Sequence, residues 1–342
     1  VETVNLYSDT QTRPSEEMRR AMANAEVGDE QRRLDPTVNE LQEAVAELLG
    51  KEAALFLPSG SMCNQIAIRL HIRPWGDELY THRDSHPVNA EAGGAAALSG
   101  AMIHLLDGEG GMFSGAELEG AMRDPEDRHQ PRSRLLCVEQ PTNVGGGRVW
   151  SREALDEVLA VARRHRLRTH LDGARLPNAV IASGQSAASF ATGFDTAWID
   201  FSKGLGAPVG ACLAASRELI EEAWRYKQML GGAMRQAGIV AAGALWALRN
   251  NVERLATDHE NARLLADGLA RIEGVAIDPA TVETNIVIFE VADPRGLVAK
   301  LEGEGVEMIW LGGPLVRAVT HLDVDRSGVE RAVEAVGRAM AA

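Results

Sequence analysis

Between about residues 40 and 230 the sequence alternates short apolar or β-branched runs with helical periodicity, and small polar residues and glycines gather after one run after another. Ala53 to Leu57 reads as a buried strand, Pro58-Ser59-Gly60-Ser61 as the turn that follows it, and Met62 to His71 as a helix. Leu79–Thr81, Leu135–Glu139, Thr169–Leu171 and Thr196–Phe201 have the same strand character, residues 112–124 and 151–165 have helical spacing, and Trp75-Gly76-Asp77-Glu78 reads as a turn. A chain patterned in this way is confined to an open, largely parallel sheet covered by helices, with its functional site beyond the C-terminal ends of the strands. From Val275 the pattern changes, with strands expected over Asn285–Val291 and Arg317–His321 and helices over Pro294–Glu302 and Gly328–Met340. The expected division is a large domain over 1–249, which includes the N-terminal segment, and a smaller C-terminal α/β domain over 250–342.

Bulk composition narrows the function classes. The 342 residues are 45% apolar and 25% charged, so there is no compositional ground for disorder. With 35 basic and 49 acidic side chains the formal net charge is −14, which argues against a nucleic-acid or anionic-membrane partner. Cys63, Cys137 and Cys212 are odd in number, far apart and set among apolar or small residues. Neither a disulfide framework nor a metal site is expected, and a reducing, cytoplasmic home is. No apolar run reaches the roughly 18 residues of a membrane span. Glu2, Asn5 and Asp9 stand where a signal peptide would carry its apolar core, and a start without Met is that of a processed or trimmed chain.

Three features point to chemistry when taken together. Lys203 lies where the strand over Thr196–Phe201 gives out, in a segment punctuated by Gly204, Gly206, Pro208 and Gly210. A lysine beside glycines is ordinarily solvated, but an amine that forms a Schiff base needs this kind of fixed backbone and close approach. Asp172 ends an apolar strand, where an unpaired carboxylate is costly. Its structural partner would be nearby Arg175; its functional partner would be a heteroaromatic nitrogen that it keeps protonated. Ser59, Gly60 and Ser61 open a helix whose N-terminus offers free N–H groups to a phosphate. From Ser61 to Asp172 is 111 positions and from Asp172 to Lys203 is 31. An anion cradle, a partner for a ring nitrogen and an amine are the requirements of pyridoxal 5'-phosphate. His86 falls among Asp84, Ser85, Asn89 and Glu91 ahead of Gly93-Gly94, and reads either as a residue stacked on a planar cofactor or as a hydrogen-bonded structural histidine. His129 reads as part of a charged surface loop.

With these residues in place the chain resembles the low-specificity L-threonine aldolase family of fold-type I pyridoxal-phosphate enzymes. The resemblance rests on Ser8-Asp9-Thr10, Asp35-Pro36-Thr37-Val38-Asn39, Pro58-Ser59-Gly60-Ser61-Met62-Cys63-Asn64, Glu91-Ala92-Gly93-Gly94, Leu171-Asp172-Gly173-Ala174-Arg175, Ser202-Lys203-Gly204-Leu205-Gly206 and Gly231-Gly232-Ala233-Met234-Arg235-Gln236, and it covers almost the whole chain. It implies a large domain with a mostly parallel seven-stranded sheet. It implies that Lys203 carries the cofactor aldehyde, that Asp172 pairs with the pyridine nitrogen, that His86 stacks on the ring and that Ser59, Gly60 and Ser61 hold the phosphate. Arg235 would approach that phosphate from a neighbouring subunit of a homotetramer. Ser8, Arg175 and Arg317 would bind the substrate carboxylate, with Arg175 also near the cofactor's phenolic oxygen, and His129 would lie near the substrate β-hydroxyl.

The implied reaction is reversible cleavage of L-threonine, L-allo-threonine or a related L-β-hydroxy-α-amino acid to glycine and an aldehyde, with His86 and His129 as candidate bases. Two segments depart from the family pattern. Arg32-Arg33-Leu34 stands where members have Tyr-Gly-Glu, and Glu139-Gln140-Pro141-Thr142-Asn143 stands where they have Glu-Asn-Thr-His-Asn. Substrate choice is expected there, with Arg32 as a contact and a phenylserine or 3-hydroxyaspartate preference as an alternative. Another lyase, racemase or aminotransferase reaction would use the same lysine and aspartate; a non-catalytic scaffold is disfavoured.

Overall fold

The alternating stretch builds the sheet that its pattern demands. The computed structural model describes residues 3–74 and 76–341. In chain order its strands are β1 (Val4–Asn5), β2 (Ala53–Leu57), β3 (Asp77–His82), β4 (Met102–Leu106), β5 (Arg132–Glu139), β6 (Arg168–Gly173), β7 (Thr196–Asp200), β8 (Ala211–Ala215), β9 (Ile286–Glu290), β10 (Val306–Glu307), β11 (Ile309–Gly312) and β12 (Leu315–Val319). Seven of them pair in the order β2-β8-β7-β6-β5-β3-β4. Only β8 runs against its neighbours, pairing antiparallel with both β2 and β7. The sheet is therefore the mostly parallel, seven-stranded one expected, and its other six strands end on one edge. Two of its strands, β4 and β8, have weak sequence signals. β8 reads Ala-Cys-Leu-Ala-Ala, small residues of low strand preference, and becomes a strand because all five are buried between neighbours. Of the turn expected over 75–78, Trp75 lies outside the described residues, and Asp77 and Glu78 belong to β3.

Helix starts follow their caps. Ser15, Ser151 and Ser114 accept the N–H groups of Met18, Ala154 and Glu117, and Glu117 returns the bond to close a capping box. The helix Pro36–Leu48 begins at Pro36 because Asp35 caps it and proline suits the first turn. The helix read over 112–124 spans only Gly115–Ala121.

The C-terminal part carries a three-stranded antiparallel sheet, β11-β12-β9. β1 pairs parallel with β10, and the Val319 N–H donates to the Leu6 carbonyl at 2.9 Å, so the N-terminal segment is tied to this part of the chain. Val4 and Leu6 share an apolar core with Leu265, Phe289, Leu301, Val316 and Val336, separate from the core beneath the large sheet.

One ion pair is sealed inside this scaffold. Lys227, in the helix Arg217–Met229, donates to Glu30 at 2.8 Å, and neither side chain reaches solvent. The other Glu30 oxygen accepts the Met234 N–H. Burial lowers the lysine pKa, with Glu30 opposing it. Replacing one partner, as in Lys227→Met or Glu30→Gln, is expected to cost about 3–5 kcal/mol, because it strands the other group; the double replacement by apolar residues costs much less. Urea unfolding of the three variants checks the difference.

Candidate active site

The strand ends bring the chemical residues to one edge. Lys203 follows β7, and its Nζ donates to Asp200 Oδ2 at 2.7 Å, while Asp200 Oδ1 accepts the Ser202 N–H and O–H at 2.8 and 2.7 Å. The Lys203 ammonium lies 5.5 Å from the centroid of the Trp198 ring. The same ring explains Gly60. A Cβ at that position would collide with Trp198 and come within 3.1 Å of Asp200 Oδ2, so only glycine lets the helix Gly60–His71 start this close to β7. The Ser59 hydroxyl caps this helix by accepting the Met62 N–H at 3.3 Å. The N–H groups of Gly60 and Ser61, in the first turn, have no intrahelical acceptor and form a cradle for an anion.

Asp172 lies in β6 beside Glu139 of β5 and Trp198 of β7. Arg175 is not its partner, contrary to the pairing expected from their proximity in sequence. Asp172 instead accepts from Asn64 Nδ2 at 2.7 Å and from the Ala174 N–H at 3.1 Å. Arg175 turns away because Asp9 takes it in a two-pronged pair, Nε to Oδ2 at 2.8 Å and the terminal nitrogen to Oδ1 at 2.6 Å. Burial pushes the Asp9 carboxyl up, but Arg175 outweighs it and holds the group well below the carboxylate range.

His86 is oriented from two sides. Its backbone N–H donates to Glu139 at 3.0 Å and its Nδ1 bonds Glu91 at 2.7 Å. Burial opposes protonation of the ring, but the Glu91 bond and the charge of Asp172 outweigh it, so its pKa is raised above 6.5. Glu139 also accepts the Asn143 N–H. Burial first, and then the adjacent Asp172, push the Glu139 carboxyl from 4.5 up to about 7.

Arg317, on β12, donates to Asn143 Oδ1 at 2.9 Å, while its Nε is buried without a partner. Burial and the nearby Arg175 lower its pKa to about 10. Asn285 donates to Asp9 at 3.1 Å and keeps a buried, unpartnered Oδ1. Ser8 is buried next to Asp9, its hydroxyl accepting from Thr10. A pyridine ring bearing a phosphate and an aldehyde fits this donor set: a cradle at Gly60, a carboxylate at Asp172, an amine at Lys203, and the unspent Nε–H of Arg317 for a bound carboxylate.

Three of the sequence-derived residues lie elsewhere in the protomer. His129 is exposed in the loop that enters β5 from its N-terminal side. Within the protomer, roughly 23 Å of strand, at about 3.3 Å per residue, separates it from the functional edge. Arg32 and Arg235 are also exposed; Arg235 pairs with Asp29 at 3.3 Å, and its carbonyl accepts the Glu30 N–H at 3.0 Å, so both arginines sit on one pair of linked loops. Conversely, Asn64, Glu91 and Asp200 belong to the cluster without having been assigned a role, and Glu139 and Asn143 had been marked only as the ends of a segment expected to govern substrate choice. The polar run from Asp84 to Glu91 and the motif ending at Asn64 were the available signals.

Residues 5–293 match the beta-eliminating lyase family. The chain is 38% identical over 347 residues to low-specificity L-threonine aldolase 1 of Arabidopsis thaliana, covering 99% of this chain and 96% of that protein. It is 39% identical over 323 residues to the low specificity L-threonine aldolase of Escherichia coli K12, covering 94% and 95%. Among solved structures, the threonine aldolase of Leishmania major superposes with a TM-score of 0.83 at 21% identity, covering 98% of this chain and 99% of that one.

The raised Glu139 carboxyl has a measurable consequence. Between about pH 4.5 and 7 the folded protein retains a proton there that the unfolded chain has released. This group's contribution to stability therefore falls as pH rises through that window and is level above it. Glu139→Gln is expected to gain stability relative to the parent from the lower to the upper end of the window, read from unfolding midpoints across the pH series.

Proposed function

Because the chain belongs to the beta-eliminating lyase family and, within it, to the low-specificity L-threonine aldolases, we propose that it uses pyridoxal 5'-phosphate to cleave L-threonine, L-allo-threonine or a related L-β-hydroxy-α-amino acid reversibly to glycine and an aldehyde. The observation that carries the reading is the meeting of Lys203, Asp172 and the Gly60–Ser61 cradle at one sheet edge, beside the buried, unspent donor of Arg317.

Bound there, the cofactor supplies an electron sink for the pair released when the Cα–Cβ bond breaks. Lys203 offers the amine that carries its aldehyde, and Asp172 holds a proton at the ring nitrogen. The Gly60 and Ser61 N–H groups bind the phosphate, and Ser59 keeps their helix in register. Arg317 and Ser8 would bind the substrate carboxylate and so fix the orientation of the bond to be broken. Arg175, engaged by Asp9, flanks that anchor. His86 is the base for the β-hydroxyl proton: with Nδ1 held by Glu91, its Nε2 is the nitrogen left to act.

Further proposals concern the assembly. In a homotetramer the exposed Arg235 would approach a neighbour's phosphate, and Arg32, exposed on the linked loop, would be the substrate contact. The two separate apolar cores support a division near residue 250, with the N-terminal segment packed on the smaller part. The buried free cysteines support a cytoplasmic home. Among the described residues no helix is long and apolar enough to cross a membrane.

Incubation with threonine, allo-threonine, phenylserine and 3-hydroxyaspartate is expected to release glycine and the matching aldehyde in equal amounts, and Lys203→Ala to reduce release to background. Products in which the Cα–Cβ bond is intact would overturn the reading. His86→Phe is expected to lower kcat by about 10²–10⁴-fold. In the parent enzyme the acid limb of kcat/KM is expected above pH 6.5, because the raised pKa keeps the imidazole protonated to higher pH. A limb unchanged in His86→Phe would exclude His86 as the base.

A further inference from the structure

Asn64 is wholly buried and spends every hydrogen-bonding valence of its amide on this site. Its Nδ2 donates to Asp172 Oδ2 and to Glu91 Oε1, each at 2.7 Å. Its Oδ1 accepts from Trp198 Nε1 at 2.8 Å and meets His170 Nε2 at 3.0 Å. Carboxylates only accept, so they fix which way the amide points, and the amide fixes His170 as a donor through Nε2. The neutral His170 then accepts from the Thr196 hydroxyl through Nδ1 at 2.8 Å, and Thr196 Oγ1 accepts from His71 Nε2 at 3.1 Å. Burial keeps both imidazoles neutral, lowering His170 to about 3 and His71 to about 4. The chain from His71 to Asn64 therefore has one direction and ends on two carboxylates.

Those carboxylates serve different partners in the candidate site. Asp172 faces the proposed ring nitrogen, and Glu91 holds Nδ1 of His86. We propose that Asn64 is a positioning residue that couples the two, so that one amide sets both the anion beneath the cofactor nitrogen and the tautomer and basicity of His86. The Asp172 half rests on the cofactor reading above; the Glu91 half rests on His86 alone. Gln65 provides an internal comparison, because its Nε2 donates to Glu91 but not to Asp172. The ionisable groups facing His86 are Glu91 and Asp172, Lys203 from beyond β7, and Glu139, which accepts its backbone N–H. Of these four, Asn64 contacts only Glu91 and Asp172.

The test compares Asn64→Leu and Gln65→Leu in the full-length protein by two readouts: the ring NMR titration of His86 and the Kd for pyridoxal 5'-phosphate. Loss of a donor leaves Glu91 with more charge to spend on His86, so both variants are expected to move its titration upward by about one pH unit or less. Only Asn64→Leu is expected to weaken cofactor binding, by about tenfold or more, because Asp172 loses the donor that aims its carboxylate, and the lost alignment with the ring nitrogen outweighs the charge that is freed. If Asn64→Leu does not fold, Asn64→Ser replaces it: one hydroxyl proton cannot serve two carboxylates, so at least one readout must move. The proposal is overturned if Asn64→Leu leaves either readout at the parent value, if Asn64→Ser leaves both there, or if Gln65→Leu weakens cofactor binding as much as Asn64→Leu. A parent protein that binds no pyridoxal 5'-phosphate would sink the cofactor reading and the coupling with it, whereas a parent that binds it normally while Asn64→Leu does too would sink the coupling alone.

Discussion

Two carboxylates on neighbouring strands, Glu139 and Asp172, stand side by side at the end of the sheet. Like charges this close, in a place with little water, cannot both be carried without compensation. The protein resolves the conflict unequally. Asp172 receives the Asn64 amide and the Ala174 N–H as donors. Glu139 receives two backbone N–H groups, yet burial and its neighbour still hold it toward the protonated form. Because those N–H groups belong to His86 and Asn143, the same carboxyl ties together the two loops that carry the imidazole and the partner of Arg317.

A second carboxylate organises the other half of the site. Asp9 enters on the N-terminal segment, which is held to the C-terminal part by the pairing of β1 with β10. It gathers Arg175 from the end of β6 and Asn285 from the start of β9. A fully buried guanidinium that lost its carboxylate would be costly, so the Asp9–Arg175 pair stabilises the fold as well as shaping the site. It leaves Arg317 as the cation with a spare buried donor, and that inequality distinguishes a scaffold arginine from one available to a ligand.

Local rules accounted for much of the scaffold. β2 falls over Ala53–Leu57 as its apolar run implies, and the serine caps at 15, 114 and 151 start helices because a side-chain acceptor is needed wherever N–H groups lack one. β8 was illegible because alanine-rich strands are made by their neighbours rather than by their own preference. The sequence marked Glu139 as the start of a segment bearing on substrate choice but gave no sign of its raised pKa, since its environment is assembled from β6, the His86 loop and the segment that follows it.

By itself the sequence determined the alternating architecture, the amine at Lys203, the carboxylate at Asp172 and the cradle at Gly60, because each depends on which residues sit where a strand stops. Tertiary structure alone decided the partners. Arg175 belongs to Asp9, 166 positions away, and Asp172 belongs to Asn64, 108 positions away. His129 lies at the far end of β5 from the site. Electrostatic pairing depends on distance in space, and only the packed sheet converts separation along the chain into that distance.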